Sequence, residues 1–311
     1  MPDATKSPAL LSVLFLGSKR LGLGVLKEIC AVSPGSLAAI ATLDDSRDER
    51  GCLTEFRSFA RTADAPLEVL AGPSGLGALL DRYRPGLVLV CGWYWKIPPE
   101  TLAKAPAGFV GLHASLLPRY RGFAPLVWSL LRSESRAGIS LFYMEDGLDT
   151  GDILSRKSFR LGPDATIAEA LDTAEGLSLE AIRETLPLLL AGAAPRLPQD
   201  HSQASYCSQR RPEDGLLDWR AAAPEIHNAV RAQTRPYPGA FTFLEGRKLF
   251  VWKTRRFAAD YHGIPGLVAE SRAGEAVVTC GQGALILVEA QLEGQEPRPA
   301  GEILRFGTRL G

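Results

Sequence analysis

The sequence predicts an α/β fold, a mostly parallel sheet covered by helices on both faces, followed by a small C-terminal β-barrel or sandwich. Three observations carry that reading. Short apolar runs alternate with amphipathic segments through the first half; one long helical pattern follows; and beyond about Tyr206 the texture changes to closely spaced β-rich runs separated by glycine turns.

The apolar runs, in order, are LSVLFLG (11–17), SLAAIATL (36–43), APLEVL (65–70), GLVLVCGW (86–93), GFVGLHAS (108–115) and GISLFYM (138–144). Most are near-continuously apolar, as strands buried on both faces must be. Between them, 19–32, 53–62, 74–84, 97–104 and 123–133 have helical length and spacing. The turn GSKRLGLG (17–24) is glycine-rich but lacks the G-x-G-x-x-G spacing, which favours an ordinary tight strand-to-helix turn over a dinucleotide site. RKSFRL (156–161) reads as a further strand. A long helix then runs from about Thr166 to Leu190, with Ile167, Ala170, Leu171, Ala174, Leu177, Leu179 and Ile182 at helical spacing and either Asp164 or Thr166 as its cap. AGAAPRLPQDHSQASY (191–206) has the composition of an inter-domain linker. GAFTFL, KLFVWKTRRF, GLVAE, AVVTC and ALILVEA supply the strands of the C-terminal part.

A chain of 311 residues exceeds the usual single domain, and two are predicted, 1–200 and 207–311. A content of 46% hydrophobic and 23% charged residues excludes a disordered chain, and 35 basic residues cancelling 35 acidic ones argue against affinity built on neutralising many phosphates. Cys30, Cys52, Cys91, Cys207 and Cys280 form no CxxC pair and no short Cys/His cluster, so free thiols and no metal site are expected. The opening MPDATKSPAL is polar and unlike a secretory leader, and no apolar run approaches the roughly 20 residues of a membrane span, which together predict a cytoplasmic protein without a membrane partner. A homo-oligomer stays open.

The stretch that carries chemistry is GLHASLLPRYRG (111–122). Period-two geometry puts Gly111, His113 and Ser115 on one face at the carboxyl end of a strand, where open α/β sheets bind ligands. About 30 residues later stands DGLDTGD, with Asp146, Asp149 and Asp152. A histidine at a strand end and a carboxylate on a neighbouring loop can meet, the carboxylate orienting the imidazole for proton transfer. Taken alone, such a histidine is more often a satisfied core residue.

Two blocks, HASLLPRYRG followed by GISLFYMEDGLDTGDIL, and RRPEDGLLDWRAAAPEIHNAVRAQTRPYPGAFTF (210–243), resemble the folate-dependent formyltransferase family. Within it the likeness is closer to sugar-nucleotide N-formyltransferases, such as the UDP-4-amino-4-deoxyarabinose enzyme, than to the methionyl-tRNA enzymes. The resemblance implies a Rossmann-like first domain, an OB-like second one, and 10-formyltetrahydrofolate as formyl donor to a primary amine. Family members carry an Asn-x-His triplet and a loop aspartate; here these positions are Gly111, His113 and Asp149. His113 is then expected to stabilise or protonate the tetrahedral centre, and Asp149 to set the imidazole and help deprotonate the amine.

Gly111 departs from that pattern, and loss of one oxyanion donor costs on the order of 10²- to 10³-fold in rate. Three explanations are compatible with the sequence: another group fills the gap, with Ser115 nearest; the enzyme is slow or uses a different donor; or the chain binds folate or nucleotide without catalysis. By the same resemblance the folate pocket falls on CGWYWKIPPE (91–100) and EDGLDTG (145–151), naming Trp93, Tyr94, Trp95, Ile97, Asp146, Gly147 and Leu148. Arg121, Arg210 and Arg211 are candidate partners for a substrate phosphate or carboxylate. In ATLDDSRDERGCLTEF (41–56) four acidic residues before Gly51 outnumber two arginines, and residues 205–311 hold 14 Lys/Arg against 12 Asp/Glu. Both speak against tRNA as acceptor and for a small one, most simply a nucleotide-linked amino sugar, with methionyl-tRNA and an amino acid or peptide amine as alternatives. A nucleotide-dependent oxidoreductase binding NAD(P) at GSKRLGLG is the rival that the sheet alone suggests.

Overall fold

The computed structural model describes residues 11–48, 50–272 and 274–311. The expectation resting on MPDATKSPAL lies outside the described residues, as does Glu49 of the acidic segment. Two compact units are present. One comprises the chain to Gly122, Gly138–Ser158 and Ala174–Tyr206, and the other Phe123–Ala137, Phe159–Thr173 and Cys207–Gly311.

The first half alternates as its hydrophobic runs dictate: β1 (Val13–Gly17), α1 (Lys19–Val32), β2 (Leu37–Leu43), α2 (Leu53–Thr62), β3 (Leu67–Leu70), α3 (Leu76–Tyr83), β4 (Leu87–Cys91), the short α4 (Pro99–Leu102) and β5 (Phe109–His113). After β6 (Arg121–Gly122) come α5 (Pro125–Leu131), β7 (Arg136–Tyr143), β8 (Ile153–Arg160) and α6 (Ile167–Leu190). The seven-stranded sheet has the order β3-β2-β1-β4-β5-β7-β8. Its first five strands run parallel, and β7 joins β5 antiparallel. β1 and β4 are fully buried, as central strands covered on both faces require. α1 buries Gly22, Val25, Leu26 and Ile29, a stripe at helical spacing. At the β1–α1 turn a side chain on Gly17 would collide with the carbonyl of Cys91 on β4, so the first glycine of GSKRLGLG is there for close strand packing.

Thr166, not Asp164, caps α6: the Thr166 N–H donates to Glu169 Oε2 at 2.7 Å and the Glu169 N–H returns to Thr166 Oγ1. The stretch 191–206 is not a linker. Leu197 bridges Ile153 through two backbone hydrogen bonds, Gln199 is buried, and a 3₁₀ turn at His201–Gln203 leads into β9 (Tyr206–Cys207). Its proline and small polar residues mimic linker composition while its backbone is committed to the first unit.

In the second unit, α7 (Ala223–Gln233) precedes an antiparallel sheet. Its strands are β10 (Ala240–Leu244), β11 (Arg247–Arg256), β12 (Val268–Arg272), β13 (Glu275–Thr279), β14 (Ala284–Leu292) and β15 (Arg298–Pro299), and α8 (Ala300–Ile303) follows. The order is β10-β11-β14-β13-β12, with β15 beside β14. Leu310 bridges Leu244 at the end of β10 and Arg309 bridges Leu267 just before β12, so the C-terminal residues join both edges of the sheet in the manner of a barrel. Leu249, Val251, Leu285 and Leu287 face a core shared with Trp219, Ile226 and Val230. All five cysteines are free. Among the described residues no helix is long and apolar enough to cross a membrane.

His227 of α7 is buried, with Nδ1 2.8 Å from Thr254 Oγ1 and Nε2 3.2 Å from Asp164 Oδ1. Burial pushes its pKa below the usual histidine value, and Arg231 and Arg256 add to this while Asp164 opposes it. The unfolded chain therefore binds the proton more readily, so stability is full above the ordinary pKa and is lost as pH falls below it toward the folded value. Thermal melts between pH 7.5 and pH 5 should show the second unit losing stability, and His227→Gln should flatten that dependence. An unchanged slope would exclude His227 as its source.

Candidate active site

The end of β5 is fixed by its neighbours. Gly111 sits opposite Val90 of β4 and Phe142 of β7, and His113 sits opposite Ser140. Strand alternation thus gives Gly111 and His113 one face, as predicted. His113 is 9% exposed, and its Nε2 lies 2.7 Å from the carbonyl oxygen of Tyr120. A carbonyl only accepts, so Nε2 is the protonated nitrogen. The other nitrogen, Nδ1, faces Asp149 Oδ2 at 3.6 Å. The predicted pair is therefore together in space, with one ring nitrogen locked by backbone and the other turned to the carboxylate.

The loop carrying Asp149 is tightly specified. A side chain on Gly151 would collide with the Tyr143 carbonyl, and Asp149 takes φ +53°, a left-handed conformation that aspartate tolerates better than most residues. Its Oδ2 accepts the Gly122 N–H at 2.7 Å. Tyr120, whose carbonyl holds the imidazole, is also left-handed at φ +59°. Both groups that engage His113 thus come from backbone held in sparsely populated conformations, which persist only where surroundings over-determine them.

Gly111 is enclosed. A Cβ there would lie 3.0 Å from the Phe142 ring and 3.2 Å from Met144 Cγ, so these two side chains occupy the volume beside the strand. Phe142 is buried in a small cluster with Leu117 and Ile153. Ser115, expected as the substitute donor, is buried with its hydroxyl proton given to the Arg119 carbonyl at 2.7 Å, where it closes the SLLPRYRG turn. Ser140 reinforces that turn, donating to the Ser115 carbonyl at 2.7 Å and accepting the Leu117 N–H at 3.1 Å.

The two segments expected to hold folate are linked by an ion pair, Lys96 Nζ to Asp146 Oδ1 at 2.6 Å. Trp93 and Trp95 meet edge to face at 5.1 Å, and Tyr94 packs on Trp95. Tyr94, Trp95 and Leu148 are exposed apolar groups, whereas Ile97 belongs to the core against which Trp93 packs. Gly147 has no room for a side chain because Thr150 lies against it. Two buried polar atoms of these segments lack a protein partner, Trp93 Nε1 and Thr150 Oγ1. Buried polar atoms are nearly always satisfied, so these two atoms, with the exposed rings of Tyr94 and Trp95 in the same segments, suit a polar, ring-bearing ligand.

The arginines are placed differently from expectation. Arg121 is 1% exposed, and its guanidinium donates to Gln199 Oε1 at 2.6 Å and to the Tyr206 hydroxyl at 3.1 Å, with His201 Nδ1 at 3.0 Å. A phosphate has no access to it; it is an internal clamp. Arg210 donates to the Asp214 carbonyl and to Gln233 Oε1 and covers the Trp128 ring, so it too serves packing. Arg211 is exposed, its N–H donating to Asp214 Oδ2. Residues with no sequence signal complete the site: Gln199, Ser205, Ser140 and the Tyr120 carbonyl. Only the spacing of GLDTGD, with its glycine-forced loop, hinted that a brace was needed.

Comparison with known proteins identifies the family. The family model described as formyl transferase matches residues 68–184, and the one described as formyl transferase, C-terminal domain, matches 210–306. The chain is 34% identical over 313 residues to a methionyl-tRNA formyltransferase of Geobacter sulfurreducens, covering 97% of each. Among solved structures it is similar in fold to the N-formyltransferase from Helicobacter canadensis in complex with folinic acid and dTDP-3-aminofucose (TM-score 0.69, 15% identity, 91% of this chain and 100% of that one). It is also similar to HypX from Aquifex aeolicus in complex with tetrahydrofolic acid (TM-score 0.65, 19% identity, 95% of this chain), spanning 47% of that protein's length.

Proposed function

Because the chain belongs to the formyl transferase family, we propose that it transfers the formyl group of 10-formyltetrahydrofolate to a primary amine, with His113 and Asp149 as its proton-handling pair. The observation that carries this is the imidazole of His113 held between the Tyr120 carbonyl and Asp149 Oδ2 at the carboxyl end of β5. The amine nitrogen bonds to the formyl carbon, and the carbonyl electrons move to oxygen. On collapse the bond to N10 of the folate breaks, its electron pair staying on N10, which takes up a proton. The amine's lost proton enters the space between Nδ1 and Oδ2, where the carboxylate stabilises the imidazolium as it forms. Trp93, Tyr94, Trp95, Asp146, Gly147 and Leu148 border the folate, and Ile97 supports them.

A small amine, most simply an amino sugar on a nucleotide, is the acceptor we favour. Lys19, at the start of α1, is spent on Asp45 and Asp48 at 3.1 and 2.8 Å, and Asp44 is exposed beside them. With Asp44, Asp45 and Asp48 set against Lys19, Arg47 and Arg50, the described part of this segment is balanced and lacks the surplus of cations that a tRNA backbone calls for. Methionyl-tRNA is the second reading. The 34% identity to a methionyl-tRNA formyltransferase over 97% of both chains favours it, against the closer likeness to the aminoarabinose enzyme read from the sequence. Charged methionyl-tRNA and a panel of amino-sugar nucleotides, each incubated with 10-formyltetrahydrofolate, separate the two by which one yields tetrahydrofolate and an N-formyl product. Turnover with methionyl-tRNA alone would overturn the small-acceptor reading, and no turnover with any amine while folate binds would overturn catalysis.

A further inference from the structure

Gln199 is buried at 7% exposure in a segment that the reaction described above does not use. Its Nε2 donates to two carbonyls of the aspartate loop, Asp149 at 2.9 Å and Gly151 at 2.7 Å, and its Oε1 accepts from Arg121 Nη2 at 2.6 Å. Six residues on, Ser205 ties down the residue whose carbonyl meets the imidazole: its Oγ accepts the Tyr120 N–H at 2.8 Å and its carbonyl accepts the Arg121 N–H at 2.8 Å. The two left-handed residues that engage His113, Tyr120 and Asp149, are therefore each tied to one stretch, 199–205, and Arg121 connects the two ties.

The geometry points to Gln199 as a positioning residue of the transfer reaction, with Ser205 as its counterpart, together setting the separation of the His113 ring from the Asp149 carboxylate. The physical reason is that a left-handed aspartate relaxes unless its carbonyl is held. A bidentate amide bridging two carbonyls of one loop holds it without adding charge beside the carboxylate. Arg121 orients the amide: its N–H group takes the oxygen end, so the NH₂ end must face the loop. The inference rests on the proposed roles of His113 and Asp149, but part of its test does not.

Gln199→Glu keeps an oxygen for Arg121 and replaces the loop-facing donor by an acceptor. In the full-length protein, amide hydrogen exchange at Gly122, whose N–H bonds Asp149 Oδ2, should speed up by at least about 10-fold with the protein still folded, because local opening no longer costs the loop its tie. kcat for whichever acceptor the wild type turns over should fall on the order of 10- to 100-fold, with KM for 10-formyltetrahydrofolate changed little, since small misplacement of reacting groups costs that much. In an Asp149→Asn background the same substitution should cost almost nothing further. Ser205→Ala should lower kcat in the same way by freeing Tyr120, and serves in place of Gln199→Glu should that variant not fold. Unchanged Gly122 exchange, or an equal loss of kcat in the Asp149→Asn background, would overturn the inference. Altered Gly122 exchange in a protein without formyl transfer would instead show the brace intact and the proposed function wrong.

Discussion

His113→Ala should abolish measurable formyl transfer, a loss of about 10²- to 10⁴-fold or more, while leaving the protein folded and folate binding nearly unchanged. The reasons are geometric. The ring is 9% exposed, and its polar partners are one carbonyl at 2.7 Å and one carboxylate at 3.6 Å. Neither partner belongs to the apolar core, and both are held by other bonds, Tyr120 by Ser205 and Asp149 by Gly122 and Gln199. Removing the imidazole therefore leaves its partners' own ties standing and deletes the proposed proton acceptor. His113→Gln tests the same point differently: an amide can donate to the Tyr120 carbonyl but cannot carry the charge that Asp149 is placed to stabilise. Single-turnover formation of tetrahydrofolate, measured beside equilibrium binding of a non-reactive folate such as 5-formyltetrahydrofolate, separates chemistry from binding. Retention of more than about a tenth of the rate in His113→Ala would move the proton-transfer role to Asp149 alone.

The legibility of this site in the sequence divides along a physical line. Strand periodicity placed Gly111 and His113 on one face because the alternation of a strand is local. The helix from Thr166 was readable for the same reason, though only the structure separates its cap, Thr166, from Asp164, which pairs with His227 instead. What composition misjudged is the stretch 191–206. Proline, glutamine and serine mark a linker when their polar groups are solvated, but here Leu197 and Ser205 spend backbone groups, and Gln199 its side-chain amide, on distant residues. Arg121 fails similarly: a guanidinium in a basic turn resembles an anion site until its burial beneath Gln199 and Tyr206 is seen. Long-range partners leave no local signal, so a brace and a linker, or a clamp and a phosphate site, look alike in one sequence.

Gly111→Asn on its own should not raise the rate, and should cost the first unit on the order of 1–3 kcal/mol, because the space is already filled. A Cβ at this position meets the Phe142 ring at 3.0 Å and Met144 at 3.2 Å before any amide is added, and Phe142 is directly opposite on β7, packed on Leu117 and Ile153. The residue is therefore not a simple truncation of an asparagine; an aromatic wall has taken the volume. Ser115 does not compensate, its proton being given to Arg119. If the site works without a side-chain donor at this position, restoring both the amide and its room should expose the deficit. Gly111→Asn combined with Phe142→Ala is expected to exceed Phe142→Ala alone by at least about 10-fold in single-turnover rate, within the 10²- to 10³-fold that one oxyanion donor is worth. The Phe142→Ala control is needed because the cavity by itself loosens β5 and destabilises by about 3–5 kcal/mol. Equal rates for the double and the control would mean that another group already donates to the oxyanion, and the unpartnered Trp93 Nε1 and Thr150 Oγ1 would then be the first to substitute. The outcome thus decides whether Gly111 marks a weakened site or one rebuilt around a different donor.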